Sequence, residues 1–184
     1  MTKKVLMPVT DGTEELEAVA IIDVLRRADI EVTVASTTGA RQITCSRGVI
    51  LIADELISAC SEESYDLVVL PGGIPGAQNL RDSIELTAIL KKQHREGKYY
   101  GAICASPVVI LEHHGLLEGK KATCHPGFED QMKNLDQSNA RVVIDGNCIT
   151  SRGAGTAIEF ALELLELLVD KEKRRDVEGG LALV

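Results

Sequence analysis

The chain has 184 residues, 45% hydrophobic and 26% charged, with 20 Lys and Arg against 28 Asp and Glu for a formal net charge of −8. That length suits one domain, residues 1–184, able to bury a substantial core without disulfides or metal. The acidic balance argues against a nucleic-acid surface, which needs a concentrated field of Lys and Arg; no apolar run is long enough to span a bilayer, and the apolar stretch after Met1 is too short for export, so a cytoplasmic protein is expected.

Lys4–Val9 reads as a strand, 10–13 as a turn, and 14–28 as an amphipathic helix with Leu16, Val19, Ala20 and Val24 at helical spacing. The alternating, β-branched segment Glu31–Ser36 follows at a distance suited to a right-handed βαβ crossover. Residues 43–53 hold two short β-type runs, either a hairpin or an excursion beside the main sheet. A buried strand is expected at 66–70, ending at Pro71-Gly72-Gly73, and a helix at 83–96 closed by Gly97. Tyr99–Ile103 reads as a strand running into Cys104, after which Ser106 caps a helix that has Pro107 in its first turn.

Beyond Gly115 the pattern weakens, with a short strand expected at 121–124 and a helical segment at 128–135. Residues 141–145 and 148–150 flank a hairpin turn at Asp145-Gly146-Asn147. The helix 156–169 is apolar except for a stripe of Glu159, Glu163, Glu166 and Asp170, so it is expected to be buried on most sides, against a sheet and with room for a partner subunit. The basic run 171–175 reads as the solvated tail of that helix, where positive charge complements the dipole. Repetition of strand, helix and strand predicts an α/β sandwich with a largely parallel sheet and helices on both faces.

Ligands of such sheets bind beyond the carboxyl ends of the strands, where loops 10–13, 71–76, 104–106 and 151–155 gather. At its hinge Cys104 would meet unpaired N–H groups and the positive end of a helix dipole, which favour the thiolate; the alternative is an inert thiol filling a strand end. Gly72 and Gly73 offer bare amides for an oxyanion, or simply a tight turn. Glu14, Glu15 and Glu17 all stabilise a helix N-terminus. A buried member of the three would also exchange protons with a thiol, but spacing does not say which. His125 is an acid-base partner or a surface residue, and His94, His113 and His114 near helix C-termini are explained by the dipole. Five cysteines without C-x-x-C spacing disfavour a disulfide framework or a zinc site. No phosphate-binding loop, serine elbow or nicotinamide fingerprint is present, so neither cofactor nor metal is expected.

With Glu14-Glu-Leu-Glu17, Leu70-Pro-Gly-Gly-Ile-Pro-Gly-Ala-Gln-Asn-Leu80, Ala102-Ile-Cys-Ala-Ser-Pro107 and Thr150-Ser-Arg-Gly-Ala-Gly-Thr156 in this order, the sequence resembles the ThiJ/PfpI superfamily nearly end to end. The branch it resembles contains the Parkinsonism-associated protein deglycase (DJ-one) and its bacterial relatives. The resemblance implies a flavodoxin-like three-layer sandwich and a homodimer. It implies Cys104 as a reactive, readily oxidised cysteine and Glu17 as the protonated carboxyl bonded to its sulfur. Gly72, Gly73 and Ala105 become backbone donors, His125 an assisting residue, and Arg47 a basic residue near the site or interface. Ala105 stands where the protease-like branch has His, which argues against peptide hydrolysis.

The implied activity is that of a glutathione-independent glyoxalase or deglycase acting on methylglyoxal-type dicarbonyls or glycated protein. In it, Cys104 adds to the aldehyde, Glu17 relays a proton through an enediol, and a thioester is hydrolysed to lactate. The alternative is a redox sensor or redox-regulated chaperone acting through oxidation of Cys104 to the sulfinic acid.

Overall fold

The computed structural model describes residues 2–136 and 139–183. Strand β1 (Lys4–Val9) leads into α1 (Glu15–Arg27), whose N-terminus is capped by Glu14: its carboxylate accepts the Glu17 N–H at 2.8 Å. β2 (Glu31–Ser36) then returns parallel to β1, with Lys4 opposite Glu31 and Val9 opposite Ser36. The segment with two readings is a hairpin, β3 (Gln42–Thr44) and β4 (Ile50–Ile52), paired antiparallel outside the main sheet. After the two-residue edge strand β5 (Glu55–Leu56) come β6 (Leu67–Leu70), α2 (Gly76–Arg81), α3 (Ile84–Arg95) and β7 (Tyr99–Ile103). The predicted second hairpin is β8 (Val142–Asp145) and β9 (Cys148–Ser151), followed by α4 (Ala157–Leu168) and α5 (Lys171–Gly180).

The main sheet runs β5-β2-β1-β6-β7-β9-β8, and every neighbouring pair is parallel except β8 with β9. Because strand side chains alternate between faces, β1 feeds two cores. Val5, Met7 and Val9 pack with Ile21 and Leu25 of α1 and Phe160, Leu164 and Leu165 of α4. Leu6 points the other way, into a cluster with Leu80, Leu86, Leu90, Tyr100 and Ile110. Each such side chain, removed from water, contributes roughly 1.5–3 kcal/mol. The sheet between two helical layers is the flavodoxin-like α/β sandwich anticipated from the sequence. Register also aligns the strand ends: Leu70 lies opposite Ala102, and Ile103 opposite Ser151. The loops after β1, β6, β7 and β9 therefore share one rim.

Several local expectations are corrected. Ser106 does not cap a helix, since its backbone is already helical and its hydroxyl donates to the Pro71 carbonyl at 2.6 Å. The segment it precedes, Pro107–Glu112, is wound as a π-helix. Residues 121–124 make only an isolated bridge from Ala122 to Leu135, and the helix expected at 128–135 is a 3-10 turn over Pro126–Gln131.

The basic run is not the tail of α4 but the start of α5, capped by Asp170, which accepts the Lys173 N–H at 2.9 Å. Arg174 turns back to Glu163 and Glu166 at 2.8 and 3.0 Å and reaches Glu178 at 2.9 Å. Much of the acidic stripe on α4 thus serves as a docking strip for the last helix. Among the described residues, no helix is long and apolar enough to cross a membrane.

Candidate active site

Cys104 follows directly on β7 with φ +66°, a left-handed conformation that a residue with a side chain adopts only when its surroundings impose it. Its N–H donates to the Ser151 carbonyl at 3.1 Å, and its own carbonyl accepts the His125 N–H at 2.8 Å. The thiol is held close to Gly72. A Cβ built on Gly72 would stand 2.5 Å from Cys104 Cβ, 3.1 Å from its Sγ and 2.8 Å from Glu17 Oε2. Only a residue without a side chain leaves room for both partners.

Glu17, in the first turn of α1, is wholly buried. Its Oε2 accepts the Gly72 N–H at 2.8 Å. Oε1 is sealed from solvent and meets no nitrogen or oxygen partner among the described residues; the polar neighbour left to the carboxyl is the Cys104 thiol, with which it shares a hydrogen bond. Burial raises Glu17 to about 7, opposed by the hydrogen bonds from Gly72 and Cys104 and aided by the charge of Glu14.

Burial, then the charge and hydrogen bond of Glu17, push the Cys104 thiol up to about 12, while the Gly73 and Ala105 amides pull it down. The expectation that a helix end by itself yields a thiolate therefore fails: burial and an adjacent carboxylate outweigh the N–H groups of one turn. The two shifts have a common origin. Two negative charges in contact away from water repel strongly, so the pair keeps one proton through the neutral range.

The structure separates the three acids that spacing left equivalent. Glu14 caps α1, and Glu17 meets the thiol. Glu15 pins the tip of the β3-β4 hairpin, accepting Ser46 Oγ at 2.9 Å and the Arg47 N–H at 2.8 Å. Burial opposes charge on Glu15, but bonds from its own backbone, Ser46, Arg47 and Val49 prevail and hold its pKa below the usual value.

Pinning the tip brings Arg47 to a cavity of about 230 Å³ above Cys104, whose walls include Glu14, Gly73, Ala105, His125 and Phe128. His125 Nδ1 accepts the Gly127 N–H at 3.1 Å, so the neutral ring carries its proton on Nε2. The Gly72 amide is engaged by Glu17, which leaves the amides of Gly73 and Ala105 facing the sulfur. The other four cysteines are buried. Sequence reasoning missed Gly153: a Cβ there would lie 4.0 Å from both Cys104 Sγ and Glu17 Oε1. Its signal was a bare residue just past the end of β9, on the shared rim.

These features define a class, a flavodoxin-like sandwich whose elbow cysteine rests against a buried acid at the carboxyl rim of the sheet. The model of the DJ-1/PfpI family matches residues 3–167, and the chain belongs to that family. Protein DJ-1 homolog B of Arabidopsis thaliana is 49% identical over 172 residues, 94% of this chain but 39% of that protein. The chain thus spans less than half the length of the plant relatives it matches. A Caenorhabditis elegans protein named glutathione-independent glyoxalase DJR-1.2 is 35% identical over 184 residues, covering 97% of this chain and 95% of that one. The structure of oxidized Toxoplasma gondii DJ-1 matches with a TM-score of 0.96 at 48% identity, covering 98% of each chain.

The raised Glu17 pKa has a consequence for stability. A carboxyl whose folded value lies above its unfolded value stabilises the fold fully below the unfolded pKa, and that contribution is lost as pH rises through the folded one. From the ordinary 4.5 to about 7, the loss is on the order of 3 kcal/mol at alkaline pH. In a Cys104→Ser background, which removes the thiol's own titration, adding Glu17→Gln should leave denaturant stability unchanged near pH 4.5 and raise it above pH 7. Parallel stability curves across that range would contradict the assigned burial.

Proposed function

We propose that this chain is a cofactor-free, cysteine-dependent glyoxalase or deglycase acting on methylglyoxal-type dicarbonyls, free or attached to protein. The observation that carries the reading is the buried Glu17 carboxyl hydrogen-bonded with the Cys104 thiol, which opens onto a small cavity beside two backbone amides. In this reading the proton rests on Glu17 and the charge on sulfur: the push that takes the thiol to about 12 includes the charge of an ionised Glu17, which is absent once Glu17 holds the proton. Glu17 is wholly enclosed, whereas Cys104 is partly exposed and receives the amides of Gly73 and Ala105, so charge is less unfavourable on the thiolate. A relative named for glutathione-independent glyoxalase activity, alike over nearly its whole length, supports the same chemistry.

In this mechanism the thiolate adds to the aldehyde carbon, and Glu17 gives its proton to the resulting alkoxide, leaving a hemithioacetal and a carboxylate. That carboxylate removes the proton from the former aldehyde carbon, and the enediolate is steadied by the Gly73 and Ala105 amides. Glu17 returns that proton to the former ketone carbon while the proton of the hydroxyl on the sulfur-bearing carbon passes to the former ketone oxygen, with His125 in the cavity wall to assist. The product is a lactoyl thioester, which water hydrolyses to lactate. Five free cysteines suit a reducing setting such as the cytoplasm.

A second reading, a redox sensor or redox-regulated chaperone, is favoured by one observation. Cys104 is the partly exposed cysteine and the other four are buried, so an oxidant in solution meets it first.

We further propose that the chain works as a homodimer of single-domain subunits. Exposed Leu16 and Val19 of α1, Ile158 of α4 and Leu183 line a groove of about 560 Å³. Val49, Ile50 and Ile52 on the hairpin extend the exposed apolar surface. An area of this kind favours burial against a second copy.

Lactate formation from methylglyoxal without glutathione should be abolished by Cys104→Ser and reduced roughly 10²–10⁴-fold by Glu17→Gln; a serine variant with wild-type turnover would refute the mechanism. Mild peroxide followed by intact-mass analysis should add two oxygens at Cys104 alone, whereas slow, uniform oxidation of all five thiols would rule out sensing. Sedimentation should give a dimer for the wild type and a monomer for Val19→Glu with Ile158→Glu, and a monomeric wild type would overturn the proposed assembly.

A further inference from the structure

Hydrolysis of the thioester needs a base for the attacking water, and that base must itself touch water in the cavity above Cys104. Glu17 forms no part of the wall of that cavity. It is wholly buried, with Oε2 held by the Gly72 N–H at 2.8 Å and Oε1 sealed from solvent. Once Cys104 is acylated, the wall offers few proton acceptors. His125 Nδ1 already accepts the Gly127 N–H at 3.1 Å, so Nε2 carries hydrogen and donates. Arg47 is a permanent cation, and Ser46 Oγ is a neutral hydroxyl that donates to Glu15 at 2.9 Å. Gly73, Ile74, Ala105 and Phe128 have no titratable side chain. Glu14 remains. Its Oε2 accepts the Glu17 N–H at 2.8 Å as the cap of α1, which uses one oxygen of the two. Oε1 has no partner among the described residues and is not sealed as Oε1 of Glu17 is. The Glu14 N–H donates to the Gly72 carbonyl at 2.9 Å, and a Cβ on Gly73 would stand 2.6 Å from the Glu14 nitrogen. The turn that carries an oxyanion amide and the residue that carries the free carboxylate oxygen are therefore packed backbone to backbone.

We propose that Glu14, besides capping α1, is the general base of deacylation, taking a proton from the water that hydrolyses the thioester, while Glu17 serves the earlier proton transfers. This rests on the glyoxalase reading and assigns the step that the reading leaves without a base. A cavity of about 230 Å³ holds several waters, each taking about 30 Å³ in the liquid, beside a lactoyl group. The water oxygen bonds to the acyl carbon as its proton passes to Glu14, and the resulting oxyanion is held by the Gly73 and Ala105 amides. The oxyanion collapses, the C–S bond breaks with its electron pair on sulfur, and lactic acid forms. Lactic acid gives its proton to Glu17, which the isomerisation left as a carboxylate, and Glu14 releases its own to solvent. Lactate departs, and the thiolate and Glu17 again hold one proton between them.

The test separates acylation from deacylation. Glu14→Gln keeps the size of the side chain and an oxygen for the cap but accepts no proton. Glu14→Ser keeps a strong cap for α1 and leaves room for formate in place of the carboxylate. Each variant is mixed with methylglyoxal, quenched in acid, and analysed for a hydroxylamine-labile thioester on Cys104 and for lactate, with and without formate.

Both variants should form the thioester at a rate within about threefold of wild type, accumulate it, and lose roughly tenfold or more in lactate turnover. Formate should restore turnover in the serine variant and not in the glutamine one. Unchanged turnover, or turnover that falls without a thioester, would overturn the inference. A serine variant that accumulates the thioester and does not respond to formate would overturn it equally, since the loss would then be structural. A wild type that forms neither thioester nor lactate would instead refute the glyoxalase reading, and this inference with it.

Discussion

A carboxyl and a thiol pressed together beneath a glycine, away from bulk water, cannot both carry charge, and the local architecture follows from that constraint. Gly72 is bare because a Cβ would strike Cys104 at 2.5 Å and Glu17 at 2.8 Å. Cys104 takes a left-handed backbone because only then does its sulfur leave the strand direction and meet the acid. Glu17 lies one turn into a helix whose first N–H groups favour negative charge, yet burial dominates and raises its pKa. One proton shared by two groups of unequal exposure is a way to hold a nucleophile and its acid ready together.

The scaffold supplies this contact through parallel topology. β1, β6, β7 and β9 end at one rim, so a helix leaving β1, a turn leaving β6 and an elbow leaving β7 converge without any long excursion. Ties between those loops hold the convergence. Glu14 N–H donates to the Gly72 carbonyl at 2.9 Å, Ser106 Oγ to that of Pro71 at 2.6 Å, and Cys104 N–H to that of Ser151 at 3.1 Å. None of these joins the reacting atoms, yet each fixes one of the loops that carry them.

The layered α/β fold was legible because its signals are local and periodic. The β-type run at 4–9, the β-branched run at 31–36, helical spacing at 14–28 and the Asp145-Gly146-Asn147 turn each record burial or backbone geometry in neighbouring residues. The corrections arose where distant partners decide. Ser106 carries the residue type of a cap but is claimed by Pro71, just past the end of β6. The basic run 171–175 has the composition of a helix tail, while its structure depends on Asp170 beneath it and on Glu163 and Glu166 along α4.

The candidate site was readable in part for the same reason. Cys104 announces itself by its place at a hinge, and resemblance singled out Glu17, but spacing alone could not say which acid meets the thiol. The three carboxylates leave the helix start in different directions, to a cap, to a hairpin tip and to a sulfur. Gly153 carried no signal beyond its lack of a side chain, since only the fold brings it within 4.0 Å, measured from a built Cβ, of two atoms far from it in sequence.

The most direct test of the central claim is the ultraviolet absorbance of the Cys104 thiolate, taken as the difference between wild type and Cys104→Ser across the neutral pH range. With the shared proton on Glu17, the thiolate band is present at neutral pH, below the ordinary thiol pKa of about 8.5. A band that emerges only far into the alkaline range would place the proton on sulfur and the charge on the buried acid, contradicting the account.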